Sequence, residues 1–228
     1  VFPVDESLIQ RTVKWLRSRR DGQGGWNINP NSLHGWQNDG VLAAYMAWAI
    51  AEAGYGEEVS AEINKAAETA WSSSDPYQMA LLTNALFATG DARANRYLAR
   101  LLEQQQPEGL WKGKTHSVLH ADGPCFDMET TALGALALMK TTGHAAPLQR
   151  AMQYITGAKT EYGYGSTQST VLALKALTEY VGNTDVQSGE GQLVVSVDGK
   201  RVKEIPVHAQ IAKRIEVRDL GQYITHDH

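Results

Sequence analysis

Two acidic side chains lie close enough in the sequence to suggest acid catalysis. Asp127 and Glu129 begin the segment Asp-Met-Glu-Thr-Thr-Ala, which leads into an apolar run. In such a pair, one carboxyl group can donate a proton while its neighbour tunes the pKa of the donor, and Glu129 is the candidate donor. The same residues also suit the start of a helix, with Asp127 as the cap and Glu129 in the first turn, where the helix dipole favours acids.

A second candidate is a metal site in the loop that precedes this segment. Zinc takes three or four converging ligands in a tetrahedron. The loop offers His116, His120, Asp122 and Cys125. A single loop cysteine more often packs as a small apolar residue, however. We therefore predict neither a metal site nor a cofactor.

Four similar segments organise the chain and must position these residues. Each opens with a capping Asp or Ser, closes on a glycine, and is apolar on nearly every face, as expected of a buried helix. The segments are residues 39–54, 75–90, 127–143 and 166–182. Each has a partner with a single apolar stripe, typical of an outer helix: residues 5–20, 60–72, 91–106 and 146–156. The pattern predicts about four helical hairpins.

Related turns indicate how the hairpins associate. Residues 20–26, 105–111 and 159–164 each place a long polar side chain before a glycine and an aromatic residue. The glycine permits a tight turn, and the aromatic side chain can plug the space between neighbouring hairpins. The aromatic residues are Trp26, Trp111 and Tyr164. Equivalent plugs at equivalent turns favour an all-α fold, an incomplete α/α toroid of helical hairpins.

The C-terminal part is different in character. Residues 191–207 alternate Val and Ile with polar residues around Asp198-Gly199, a pattern that predicts an antiparallel β-hairpin. Residues 211–217 predict a third strand. The predicted organisation is therefore a toroid over 1–182, a linker over 183–190, and a β segment over 191–228.

One segment resembles a known family. Residues 164–177 contain Gly165, Ser166, Thr167 and Gln168 followed by an apolar helix. This run resembles the thioester domain of alpha-2-macroglobulin and complement C3-like proteins. Residues 4–16, 41–50 and 128–138, the last including Glu129, resemble other family segments in the same order. The resemblance covers about 4–182, and the strands that follow stand where the family has a CUB-like β domain.

The resemblance implies a non-catalytic piece of a protease-trapping inhibitor of the bacterial type, extracellular or periplasmic. Its implied partners are proteases and neighbouring macroglobulin domains. The family's thioester joins a Cys to a Gln three positions on, in a Cys-Gly-Glu-Gln motif. Here the one cysteine, Cys125, is followed at that distance by Met128, so we expect no thioester in this chain. Family members carry a His ahead of an inner helix, which makes His34 the candidate thioester-facing residue; a solvated loop histidine is the plainer interpretation.

Two enzyme families offer alternatives. Class II terpene cyclases share the toroid and a turn like residues 105–111, and their acid motif resembles 127–132 in degenerate form, with Thr130 in place of an acid. Aromatic residues make up only 8% of the chain, few for a pocket that holds carbocations. The β subunits of prenyltransferases bind zinc through Asp, Cys and His ligands. We favour the inhibitor interpretation over both.

Length, composition and net charge argue against a nucleic-acid-binding protein and a transmembrane protein. The chain has 228 residues, 43% of them hydrophobic, and a net charge of −4 without a long basic run, so we expect no nucleic-acid partner. No apolar run reaches transmembrane length. Neither an initiating Met nor a signal peptide opens the sequence, which we interpret as a piece of a longer protein.

Overall fold

The computed structural model describes residues 5–27, 39–161, 163–183, 191–197 and 200–207. The chain divides into two compact units, Val1–Tyr180 and Val181–His228. Within the described residues the α-helices are α1 Glu6–Arg17, α2 Gly40–Ile50, α3 Ser60–Ser73, α4 Pro76–Ala88, α5 Ala94–Leu102, α6 Gly123–Met139, α7 Ala145–Gly157 and α8 Thr167–Asn183. Short helical turns over Ala51–Tyr55 and Gly56–Val59 join α2 to α3.

Capping aspartates fix where three of the helices begin. Asp5, Asp39 and Asp75 have extended backbones, and their carboxylates accept hydrogen bonds from the first free N–H groups of α1, α2 and α4. An N-cap of this kind satisfies donors that have no partner inside the helix. The predicted starts of these three helices are therefore confirmed.

Alternate helices form an inner and an outer layer. The inner helices α2, α4 and α6 carry small and apolar residues around their whole circumference, and nearly all of these are buried. The outer helices α3, α5 and α7 each bury one stripe against an inner neighbour: α3 against α2 and α4, α5 against α4, and α7 against α6. These pairings give the predicted toroid of helical hairpins.

The last helix returns to the first inner helix. Gln168 Nε2 at the start of α8 donates to the Tyr45 hydroxyl of α2 at 3.4 Å. Further along α8, Lys175 Nζ lies 3.1 Å from Glu52 Oε1, just beyond the end of α2. The inner helices therefore surround a common core within the helical unit.

Two helix boundaries differ from the prediction. The third inner helix starts at Gly123 with Asp122 as its cap, so Asp127 lies within it and caps nothing. Pro124 explains the earlier start, because its fixed φ suits the first turn of a helix. The prediction that residues 166–182 form a helix buried on nearly every face is wrong, because α8 buries one side only and leaves Val171 and Leu174 exposed. This helix runs through Gly182 to Asn183, one residue beyond its predicted end.

The second unit contains one antiparallel hairpin. Strand β1 Gly191–Val197 pairs with β2 Lys200–Val207, with an irregularity between Val195 and Ser196. The predicted Asp198-Gly199 turn and the third strand at 211–217 lie outside the described residues. Among the described helices, none is both long and apolar enough to span a lipid bilayer.

Candidate functional site

A buried carboxyl group on α6 is the most unusual polar feature of the core. Glu129 has no solvent exposure. Its Oε2 lies 3.5 Å from the Tyr77 hydroxyl, and its Oε1 has no hydrogen-bond partner among the described residues. Burial raises the pKa of Glu129 to about 7, while the nearby hydroxyl groups of Ser117, Tyr77 and Ser166 oppose that rise. A carboxyl group in this setting holds its proton close to neutral pH.

The groups around Glu129 come from three separate parts of the chain. Tyr77 lies in the first turn of α4, Ser117 in the loop 103–122, and Ser166 just before α8. The Tyr77 hydroxyl also accepts the N–H of Val118 at 3.3 Å. Burial, and then the charge of Glu129, raise the pKa of Tyr77 well above its usual value, so Tyr77 stays protonated as a donor. Side chains from α4, from the loop 103–122 and from the turn before α8 therefore meet at this carboxyl group of α6.

A second buried acid holds the same loop. Asp75 caps α4 by accepting the N–H of Tyr77 at 2.9 Å. Its two oxygens also accept the N–H groups of Lys114 and Thr115, each at 3.1 Å, and the hydroxyl of Thr115. One carboxylate thus satisfies three backbone donors, two of which belong to an irregular loop that lacks regular partners of its own.

A histidine from this loop reaches the cap of α2. His116 Nε2 lies 2.9 Å from Asp39 Oδ2, while the other oxygen of Asp39 caps α2. His116 Nδ1 is 3.0 Å from the carbonyl oxygen of Ser117, and its ring stacks on His120 at 4.9 Å between centroids. The loop 103–122 is therefore fastened to the N-terminal ends of α2, α4 and α6.

The two candidate catalytic acids do not act on each other. Asp127 and Glu129 are two positions apart on α6, a spacing that turns side chains to different faces of a helix. Burial raises the pKa of Asp127, and the charge of Lys112 opposes that rise. Burial, and then the charge of Asp127, raise the pKa of Tyr154. The predicted tuning of Glu129 by Asp127 is wrong, because the causes of the Glu129 pKa shift lie with burial and its three hydroxyl partners.

The candidate zinc ligands have other contacts. His116 is engaged with Asp39, and the Cys125 sulfur lies beside Gly165, where an added Cβ would be 2.5 Å from it. Within the described ranges, no group of three or more His, Cys, Asp or Glu side chains is placed to hold a metal ion. Gly165 has φ of +93°, so both its backbone and its close contact favour glycine.

The Gly165–Gln168 motif builds the turn into α8. Ser166 Oγ accepts the N–H of Ser169 at 3.0 Å, and the Ser169 hydroxyl donates to the Tyr164 carbonyl at 2.7 Å. Gln168 makes the contact with Tyr45 described above, and Thr167 is exposed in the first turn. The motif thereby positions both a backbone turn and the Ser166 hydroxyl beside Glu129.

The aromatic residues of the turns lie in the core. Trp26 and Trp111 are fully buried and Tyr164 is 8% exposed. Trp111 donates its indole N–H to the Leu101 carbonyl at 2.7 Å, and its ring packs on Gly134 of α6, where a Cβ would approach to 2.9 Å. Trp26 Nε1 has no partner among the described residues. His34 lies outside the described residues.

Sequence reasoning missed the partners of Glu129. Tyr77 carries a weak signal, because it follows a capping Asp-Pro pair at a helix start, where side chains face the loops. Ser117 carries none, since nothing in an irregular loop sequence fixes which of its residues turns inward.

The helical hairpins, the plugged turns and the polar cluster at the helix ends define an α/α toroid domain. The chain belongs to the alpha-macroglobulin family: residues 1–180 match the A-macroglobulin TED domain. It is 27% identical over 226 residues to ovostatin from Gallus gallus, in an alignment that covers 88% of this chain and 15% of ovostatin. The chain thus spans about 15% of the length of that curated relative.

Proposed function

We propose that this chain is part of an extracellular or periplasmic protease-trapping inhibitor, in which it acts as a rigid, non-catalytic module. The observation that carries the proposal is the match of residues 1–180 to the A-macroglobulin TED domain, together with the toroid itself. The fully buried Glu129 supports a structural role, since no substrate can reach an acid that has no solvent exposure.

Any thioester of the intact protein would then lie outside this chain. Thioester formation here would need a Gln three positions after Cys125, and Met128 stands there. The Cys125 sulfur lies beside Gly165. His34 keeps its proposed role as a residue that faces the thioester of the intact protein; unchanged selectivity between ester and amide formation in a His34→Ala variant would contradict that role.

Exposed apolar side chains support docking against neighbouring domains of the same protein. On α8, Val171 and Leu174 are 55% and 52% exposed, three positions apart and hence on one face. On α1, Leu8 and Trp15 are 50% and 52% exposed, seven positions apart and again on one face. Apolar stripes of this kind, on otherwise polar surfaces, mark interaction sites.

Protease trapping can be tested on the intact protein that contains this chain. Trypsin would be mixed with it, and the cleavage of casein would be compared with that of a small chromogenic substrate. A trap encloses the protease, so we expect casein cleavage to be suppressed while the small substrate is still cut. Equal suppression of both substrates, or of neither, contradicts trapping.

The thioester can be tested separately with methylamine. The amine opens a thioester, adds its own mass and frees one thiol, both of which mass spectrometry and thiol titration detect. If trapping occurs and methylamine produces neither change, the protein traps without a thioester. If both changes appear, peptide mapping should place the modified Gln outside these 228 residues; a modified residue inside them contradicts the proposal.

A further inference from the structure

A basic groove lies on the outer layer of the helical unit, away from Glu129. It runs between the end of α3 and the length of α5, and its volume is about 540 Å³. Trp71 of α3 forms one side, and Arg96 and Arg100 of α5 form the other. Neither the family motif nor the proposed function accounts for this groove.

Both arginines are held in place by the same indole ring. The guanidinium carbons of Arg96 and Arg100 each lie 4.2 Å from the centroid of the Trp71 ring. The ring is itself fixed by an edge contact with Tyr97 at 5.1 Å. A guanidinium that stacks on an aromatic face keeps its N–H groups free at the edges. The two cations are therefore preorganised one helical turn apart.

A third cation joins from the loop 103–122. Lys114 Nζ donates to the Ser74 carbonyl at 2.8 Å and to Gln104 Oε1 at 3.1 Å. Arg100 also contacts this edge, because it donates to the Ser74 hydroxyl. Helix α5 and the loop 103–122 therefore place positive charges at the same end of the groove.

These three cations lack acidic partners in the part of the chain that the structure describes. Among the described residues, no carboxylate lies within ion-pair distance of Arg96, Arg100 or Lys114, although Glu103 lies at the rim of the groove. Other arginines do have such partners: Arg20 contacts Glu62 at 2.6 Å, and Arg93 contacts Asp91 at 2.6 Å. The groove therefore presents unneutralised charge on a chain whose net charge is −4.

We propose that this groove binds an acidic peptide segment of a partner protein. Guanidinium groups pair with carboxylates through two parallel hydrogen bonds, and two guanidiniums one turn apart match successive acidic side chains. The exposed edge of Trp71 offers apolar surface to the rest of such a segment. A long polyanion is a poorer match, because Arg93, one turn before Arg96, is already paired with Asp91 at 2.6 Å. The proposal requires neither a thioester nor protease trapping.

The test measures binding of fluorescein-labelled hexaglutamate to the 228-residue chain by fluorescence anisotropy at low salt. Arg96→Gln with Arg100→Gln removes both stacked cations, and we expect about a tenfold loss of affinity, since two charge-assisted contacts disappear. Lys114→Gln should cost about threefold, because Lys114 contributes one exposed charge. Circular dichroism confirms that each variant is folded.

The matched control carries Arg150→Gln and Lys159→Gln, which remove the same charge from another hairpin. We expect the control to bind within about twofold of the original chain, because neither Arg150 nor Lys159 lines the groove. Absence of hexaglutamate binding to the original chain, or equal losses in the two double variants, overturns the proposal. So does a heparin-derived hexasaccharide that binds through the same arginines more tightly than the peptide.

Discussion

The Tyr77 hydroxyl lies 3.5 Å from Glu129 Oε2, so a buried polar contact joins α4 to α6. Its strength depends on the protonation of Glu129. The folded protein keeps the proton up to a pH of about 7, whereas the ordinary glutamate pKa of 4.5 applies when the chain is unfolded. Because the folded state binds the proton more tightly, the contribution of Glu129 to the free energy of unfolding is fully present below pH 4.5 and is lost as the pH rises through about 7.

Glu129→Gln removes this dependence. The amide is nearly isosteric and carries no charge, so we expect the variant to be more stable than the original at pH 8, by about 2–3 kcal/mol on the basis of the shifted pKa. At pH 5 the two proteins should differ by less than about 1 kcal/mol, since both carry a neutral side chain. Urea unfolding at both pH values measures this, and parallel pH dependences in the two proteins contradict it.

Asp75→Ala should destabilise the protein far more than the loss of an ordinary helix cap. The change leaves the loop N–H groups of Lys114 and Thr115 without their acceptor. We expect a cost of about 3 kcal/mol or more, from the lost cap plus buried unpaired donors. Faster tryptic cleavage after Lys112 and Lys114 should accompany it.

The matched control is Asp5→Ala. Asp5 caps α1 through Ser7 at 2.9 Å but is exposed, and among the described residues it bonds only to the start of its own helix. Its loss should cost about 1 kcal/mol in urea unfolding, as is usual for a cap. Similar costs for the two variants would mean that Asp75 does not anchor the loop.

Gly109→Ala should be severe, because the new methyl group meets backbone. Gly109 has φ of +94°, and a Cβ would lie 2.3 Å from the Arg150 carbonyl oxygen at the start of α7. We expect the free energy of unfolding to fall by about 3 kcal/mol or more, because the left-handed conformation and the overpacking both destabilise the folded state. Thermal unfolding followed by circular dichroism measures this loss.

Gly90→Ala separates the two causes. Gly90 also has positive φ, +66°, but a Cβ there has nothing within 4 Å. Only the conformational cost of about 1–2 kcal/mol should remain. If Gly109→Ala is no worse than Gly90→Ala, the close packing of the turn against α7 plays no part in stability.

Trp111→Phe and Trp26→Phe compare two buried indoles of equivalent turns. Trp111 loses a hydrogen bond to Leu101, whereas Trp26 loses a donor that has no partner among the described residues. We expect Trp111→Phe to cost about 1 kcal/mol more than Trp26→Phe, the usual contribution of one hydrogen bond. Guanidinium unfolding of both variants decides the matter, and a larger cost at Trp26 contradicts it.

The fold was predictable because the sequence of each helix contains a start signal and a spacing of apolar residues that determines which face is buried in the core. The capping aspartates Asp39 and Asp75 and the all-round apolar segments placed the inner helices within a few residues. Two predicted helix boundaries were wrong because a second signal competed with the first. Pro124 favours a start of α6 before Asp127. Gly182 was expected to end α8, but the exposed end of this helix accommodates it.

The site was far less predictable. Glu129 could be singled out through its family motif, but its contact with Tyr77 spans 52 positions, and its contact with Ser117 depends on the path of a loop. Spacing rules describe neighbours on one element and not the packing of loops onto distant helix ends. For the same reason, the effect of Asp127 on Glu129 was inferred from closeness in sequence, and the helix turned the two carboxylates apart.

The return of α8 to α2 also sets a schedule for folding during synthesis. Gln168 and Lys175 each bond to a residue 123 positions earlier. At ribosomal rates of about 5–20 residues per second, Tyr45 and Glu52 are synthesised roughly 6–25 seconds before those partners. Until α8 has been synthesised, the side of α2 that contacts it has no partner there. The earlier hairpins must therefore be stable through their own local packing during this interval.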